Sequence, residues 1–302
     1  MEAMTNRRKF LAQSAATLAG VTAANAQRSK KTAASPIIVF EKPIQTLEYD
    51  RMGEILAKMG VQGIEATIRK GGHIAPEAAE KEVPKMVAAL AKNGQKALIA
   101  ATNVNEANAE SEKFLRILKA NGITRYRTNY YRYDFKREML PQVEENATKL
   151  KNLAAMNKEI GIQSLYQIHS GYKYAGAMSW DAALMFDGID PDDAAIAYDL
   201  RHFRADSGLS WKTALATVKK HIRSIYVKDA VWEGERSNQL KNVPLDTGFV
   251  DRKTFDAVRK GHGPMPLSLH MEWGKTQLYP KEDVMEAVGF VARDVKTLKS
   301  WL

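Results

Sequence analysis

Four of the six histidines in this 302-residue chain follow short apolar or aromatic runs and stand close in sequence to a carboxylate, an amide or a cation. AYDLRHFRADSG sets Asp199 three positions before His202, and LHMEW sets His270 two before Glu272. YQIHSG pairs Gln167 with His169, IRKGGH carries Arg69 and His73, and IYVKDA ends in Lys228 and Asp229. Gathered in one cavity, imidazoles, carboxylates and cations perform acid–base or metal-assisted chemistry on small polar substrates. Taken singly, each has a plainer use. Asp199 and His202 cap the turn after a strand, Lys228 pairs with Asp199 or Asp229, and Arg69 and His73 shape a turn around Gly71 and Gly72. What decides is whether the fold brings these segments to one place.

The runs themselves read as strands. PIIVFEK (36–42), GIEATIR (63–69), KALIAATNV (96–104), RYRTNYYRYD (125–134), SLYQIHS (164–170), AAIAYDL (194–200), SIYVKDAVW (224–232) and PLSLHMEW (266–273) are rich in β-branched or aromatic residues. Between them apolar residues recur at helical spacing, as at Met52, Ile55, Leu56 and Met59. VPKMVAALAKNG, ESEKFLRILKANG and KREMLPQVEENATKLKNLAAMNKEIG end on glycine stops. SWKTALATVKKHIR opens on a serine cap, and PKEDVMEAVGFVARDVKTLKSWL closes the chain as a helix.

Strands alternating with helices over residues 36–302 predict an α/β fold, a single-domain (β/α)8 TIM barrel, close to the ~250 residues typical of that architecture. The competing arrangement is an open doubly wound sheet. No glycine-rich dinucleotide fingerprint follows the first strand, so no nucleotide cofactor is expected. In a closed barrel the C-terminal strand ends share one mouth. The residues named above would meet there, with Glu41, Lys42, Asn103, Tyr130 and Arg132.

The chain has no cysteine, which excludes disulfides, thiolate metal sites and cysteine nucleophiles. Residues 1–26 read as a twin-arginine-type signal peptide. Arg7, Arg8 and Lys9 precede the mildly apolar LAQSAATLAGVTA, and Ala24-Asn25-Ala26 has the small-x-small form of a cleavage site. That stretch is too short and too interrupted for a membrane span. Its removal leaves 42 basic and 34 acidic residues, a formal charge of +8 against +10 for the whole chain. Residues 27–35 read as a polar linker. The expected location is the periplasm or beyond, by the twin-arginine route. A lysine-rich solvated surface accounts for the positive balance, and nucleic acid is not expected as a partner.

From about residue 36 to 302 the chain resembles the xylose isomerase-like TIM barrels, the sugar phosphate isomerase/epimerase and endonuclease IV-like group. AYDLRH is similar to that group's Asp-x-x-His strand end, IYVKD to its lysine–aspartate strand end, VPLDTGFVD to the Pro-Leu-Gly-x-Gly segment, and LHMEW to the last strand. IRKGGHIAPE and YQIHSG are similar to a secreted branch found with twin-arginine signals. The resemblance implies a small carbohydrate substrate and proton transfer between adjacent carbons. It also implies one divalent ion (Mn, Mg or Zn) held by glutamate, aspartate, histidine and glutamate from the last four strands.

Asp199 matches the aspartate and Glu272 the final glutamate. Gln167 and His169 stand where the first glutamate is expected, and Tyr226 stands where a histidine usually precedes Val-Lys-Asp. The metal set implied here is then Asp199, Glu272 and His169, with His202 or His270. An amide carbonyl is a poor substitute for a carboxylate ligand, and Tyr226 would have to ionise against a reference pKa of about 10.

Within that chemistry Glu272 is the base at a carbon beside a carbonyl, with His73 or His169 as acid and Lys228 or Arg69 facing the enediolate oxygen. Lys42, Arg69, Asp229, His270 and Trp273 are expected to contact substrate. The function expected is that of a sugar isomerase or epimerase. The alternatives are a non-catalytic sugar-binding barrel with a degenerate metal site, or a lyase or hydrolase of a keto-sugar glycoside. An endonuclease IV-like phosphodiesterase needs more histidine and glutamate ligands than this chain supplies.

Overall fold

Four consecutive buried apolar residues, Ile37 to Phe40, begin a barrel that the far end of the chain completes. The structure is a computed structural model describing residues 34–274 and 284–302. Its strands are β1 (Ile37–Phe40), β2 (Gly63–Thr67), β3 (Lys96–Ala101), β4 (Arg125–Arg127), β5 (Gln163–Gln167), β6 (Ala194–Asp199), β7 (Ile222–Val227), β8 (Asp229–Glu233), β9 (Gln239–Val243) and β10 (Leu267–Leu269). Strands β1 to β7 run in order around a closed parallel barrel, and β10 fills the last place between β7 and β1.

Among the described residues the helices are α1 (Tyr49–Met59), α2 (Ala79–Ala91), α3 (Ala109–Ala120), α4 (Met139–Ile160), α5 (Trp180–Met185), α6 (Leu200–Ser207), α7 (Trp211–Val218), α8 (Arg252–Arg259) and α9 (Val284–Ser300). The α/β barrel expected from the alternation is the fold observed.

Periodicity explains the layers. Helix α1 buries Met52, Ile55 and Leu56 on one face and stops at Gly60, whose φ of 64° suits a residue without Cβ. Strand side chains alternate, one set packing on the helices and the other pointing into the barrel. A small cluster containing Ile38, Ile99, Leu165, Ala195, Ala197 and Tyr226 forms a core distinct from the larger strand–helix core. Towards the mouth the buried residues become polar: Glu65, Arg127, Gln167, Asp199, Lys228 and His270.

Three segments depart from the expected elements. RYRTNYYRYD is a strand for three residues only, after which the backbone leaves the barrel and forms a single bridge from Arg132 to Tyr174. SIYVKDAVW breaks at Lys228: β7 belongs to the barrel, while β8 turns away and pairs with β9 as an antiparallel hairpin. Ser210 precedes α7 but makes no side-chain capping bond, and a short 3₁₀ turn leads into the helix instead. Pro36–Leu302 forms one compact unit. The expected signal peptide, residues 1–26, lies outside the described residues. No helix among the described residues is long and apolar enough to cross a membrane.

Candidate active site

The mouth has a buried polar floor. Glu65, in the middle of β2, meets the Arg127 guanidinium at 2.7 Å, with both side chains almost without exposure. Its other oxygen accepts from Ser268 Oγ at 2.6 Å and from His270 Nε2 at 2.9 Å, and Tyr226 donates its hydroxyl to the first oxygen at 3.2 Å. Burial alone would raise the Glu65 pKa, but Arg127 and His270 outweigh it and hold the carboxyl at about 2. Burial and the nearby Glu65 raise the Tyr226 pKa well above the ordinary phenol value, so this residue is a neutral donor.

Above the floor Lys228 lies between two carboxylates. Its Nζ is 3.2 Å from Asp199 Oδ2 and 3.0 Å from Glu272 Oε2. Burial works against the ammonium, yet Asp199 and Glu272 together raise its pKa, so it stays charged. Glu272 responds in the opposite sense. Burial would raise its pKa, and Lys228 with His270 brings it well below the usual carboxylate range. Asp199 has a second task, because its Oδ1 accepts the backbone N–H of His202 at 3.0 Å and caps α6. Capping and ion pairing coexist on one side chain.

Gln167 joins floor and wall. Its Oε1 accepts from Arg127 at 2.6 Å and from Tyr130 at 2.7 Å, while its Nε2 donates to Asp199 Oδ2 at 2.7 Å. His169 donates Nδ1–H to the Ser170 carbonyl at 2.9 Å, which leaves its lone pair on Nε2. Burial, reinforced by Lys228, lowers its pKa to about 4, so the ring is neutral near pH 7. His202 stacks behind it at 3.9 Å and bonds Ser170 Oγ through Nδ1 at 2.7 Å.

These residues surround a cavity of about 310 Å³. Among the described residues Lys42, Arg69, Arg127 and Lys228 bring four positive charges to its lining, Glu272 a carboxylate, and Tyr130, Gln167, His169, Phe40 and Asn242 the other side chains. Of the residues expected to act, Glu272, Lys228, His169, Arg69 and Lys42 therefore share one cavity. The others are placed differently. His73 lies off the cavity, its ring stacked on Tyr49 and its Nδ1 3.4 Å from buried Glu41. His270 is buried in the floor between Phe40 and Tyr226. Trp273 packs on Phe290 and donates its indole N–H to Asp294. Asp229 accepts four backbone N–H groups, from Ala230, Thr247, Gly248 and Val250, and so staples a loop instead of facing substrate.

Three participants escaped the sequence reading. Arg127 was hidden because the fourth strand is shorter than its aromatic run suggests. Glu65 carried a usable signal, a lone carboxylate inside an apolar strand, which needs a buried partner. Asn242 arrives on the hairpin, which nothing in SIYVKDAVW announces.

The expected metal ligands Asp199, Glu272, His169 and His202 do not surround a common point. Among the described residues no three histidine, aspartate or glutamate side chains are grouped to hold a metal ion. Lys228 lies between the two carboxylates, both polar ends of the Gln167 amide are taken, and His202 is behind His169. This donor set does not fit a divalent ion.

No family model matches the chain, and no curated protein matches it in sequence. Solved structures do match. The IOLI protein with a bound zinc atom superposes with a TM-score of 0.68 at 12% identity, over 88% of this chain and 99% of that one. The probable 3-DHS dehydratase AsbF from Bacillus anthracis gives 0.65 at 14% identity, over 88% and 98%. A sugar phosphate isomerase/epimerase from Parabacteroides distasonis gives 0.62 at 14%, over 90% and 98%. At such identities the likeness shows architecture, and the chain folds as a TIM barrel like those of the xylose isomerase-like proteins.

Proposed function

We propose that the barrel mouth is the active site of a sugar-modifying enzyme that moves a proton next to a carbonyl, on a small polyhydroxylated substrate carrying negative charge. One observation carries this reading: an ionised carboxylate, Glu272, and a neutral imidazole, His169, line one cavity together with the fixed cation Lys228. The fold likeness to sugar isomerases, epimerases and a dehydratase supports the general kind of chemistry. With Arg127 answered by Glu65 and Lys228 by Asp199 and Glu272, the lining still holds Lys42 and Arg69, which suit contact with a carboxylate or phosphate substituent on the substrate.

Glu272 removes the proton from the carbon beside the carbonyl, and the electron pair moves onto the carbonyl oxygen that Lys228 faces. His169 Nε2 accepts the proton of the neighbouring hydroxyl and passes it to that oxygen. Return of the Glu272 proton to the adjacent carbon completes an isomerisation. With one carboxylate in the lining among the described residues, this fits the site better than a two-base epimerisation. Lys228 also regulates the base: as the ammonium shifts its contact from Glu272 to the developing oxyanion, the proton affinity of Glu272 rises.

The experiment is hydrogen exchange. Aldoses, ketoses and their acid and phosphate forms are incubated with the protein in D2O, and the carbon-bound proton beside the carbonyl is followed by NMR. Exchange with at least one anionic sugar is expected, falling about 100-fold or more in Glu272→Gln. Saturable binding without exchange would establish the second reading, a non-catalytic sugar-binding barrel, which the pinning of both Asp199 and Glu272 by Lys228 favours.

A further inference from the structure

We propose that Lys228 is a cation built into the chain at the place where a divalent ion would otherwise bridge Asp199 and Glu272, and that the wild-type site therefore takes up no such ion. The inference rests on the mouth being a substrate site, but its test uses no sugar.

The geometry leads there in three steps. First, a single nitrogen contacts one oxygen of each carboxylate, Asp199 Oδ2 at 3.2 Å and Glu272 Oε2 at 3.0 Å. The two acids come from separate segments, the end of β6 and the stretch after β10, and converge on this one cation. Two carboxylates facing each other without a cation between them would repel and leave one protonated. Second, the groups that would complete a metal's shell have other work. Gln167 donates to Asp199 through Nε2, and its carbonyl oxygen accepts from Arg127 and Tyr130. Tyr226 bonds Glu65 as a neutral phenol, and His202 bonds Ser170 through Nδ1, its Nε2 lying 3.8 Å from Asp199 Oδ2 as the one nitrogen of the set not engaged among the described residues. Third, Lys228 is held as tightly as its partners. It is 5% exposed, it lines the cavity, and its two carboxylate partners leave one N–H direction for a substrate oxygen.

The two kinds of cation differ in what they supply. A lysine brings one positive charge where a divalent ion brings two, so the triad Asp199–Lys228–Glu272 carries a net negative charge. Lys228 orients and stabilises a developing oxyanion by hydrogen bonding and charge, and a chelator cannot remove it.

Removing the ammonium should open the position. In Lys228→Ala, Asp199 and Glu272 are left facing one point without their cation, a pair of carboxylate oxygens suited to Mn2+ with water completing its shell. Wild type, Lys228→Ala and Lys228→Met are purified without chelator, assayed for bound metal, and titrated with MnCl2 and ZnCl2 by calorimetry and thermal melting. Lys228→Met keeps the aliphatic stem packed if the alanine variant does not fold. The wild type is expected to hold under a tenth of an equivalent and to melt at an unchanged temperature. A lysine variant is expected to bind about one equivalent and to gain about 5 °C at a hundredfold excess over Kd. Adding Asp199→Asn to that variant should abolish the gain. The proposal is overturned if the wild type binds an equivalent of ion that Asp199→Asn removes, or if neither lysine variant acquires one. Failure of sugar exchange in D2O with metal uptake by the lysine variants would sink the enzymatic reading alone.

Discussion

Glu65 has no exposed surface, yet its charge is matched by Arg127 and supported by hydrogen bonds from Ser268, Tyr226 and His270. Removing one partner of such a buried pair costs more than the pair contributes, because the remaining charge is left without either water or a counter-ion. Glu65→Gln should therefore destabilise the protein by about 3–5 kcal/mol, read as a lower midpoint in denaturant unfolding. A change within 1 kcal/mol, using ~1 kcal/mol as the size of an ordinary hydrogen bond, would show that Arg127 finds another anion. The spacing of single residues made half of this site visible in advance. Asp199, Lys228, His169 and Glu272 announced themselves because each stands at the end of its own apolar run. The pairing of Glu65 with Arg127 did not, because it depends on which strands become neighbours across the barrel, and no local pattern encodes that.

At the scale of elements, the alternation of strand and helix was legible because burial on both faces demands continuous β-branched runs. The lengths were not, since aromatic residues favour a strand equally well inside a barrel and in the loop beyond it. The hairpin β8–β9 is the plainest case. Its first strand continues the β7 run in sequence but turns at Lys228, and Asp229 fixes the turn. The carboxylate holds the amides of Ala230, Thr247, Gly248 and Val250 at 2.7–3.1 Å. Gly248 packs so closely that a Cβ there would stand 2.1 Å from the Ala230 carbonyl oxygen. Asp229→Ala leaves these amides without an acceptor, a loss of about 3 kcal/mol or more. It should also loosen the hairpin that carries Asn242 into the cavity, seen as faster limited proteolysis between residues 233 and 239. An unchanged cleavage rate would mean that strand pairing alone holds the hairpin.

At the scale of the whole molecule, burial depresses four histidines together, His262 among them. His169 and His221 fall to about 4, and His202 falls well below its ordinary value, all against a usual 6.5. The folded protein keeps these rings neutral, while the unfolded chain protonates them below about pH 6.5. Between there and pH 4 the unfolded state therefore binds more protons, so stability present above the window is lost as pH falls through it. The melting midpoint should drop steadily from pH 7 to pH 5. His221 tests the cause away from the cavity. It is 2% exposed, packs on Phe186, and neither ring nitrogen has a hydrogen-bond partner among the described residues. His221→Phe should flatten part of that pH dependence, and an unaltered slope would assign it to other groups.

The floor of the mouth also bears on how the chain reaches this state. Glu65 bonds Ser268 and His270 across sequence separations of 203 and 205 residues, and β1 waits for the same last strand. Until β10 docks, a partly closed sheet holds the Glu65 carboxylate without two of its donors. Contacts so distant along the chain form late, after the loop-closure entropy has been overcome. The final step of folding and the completion of the floor become one cooperative event, and a chain truncated before β10 should populate no barrel.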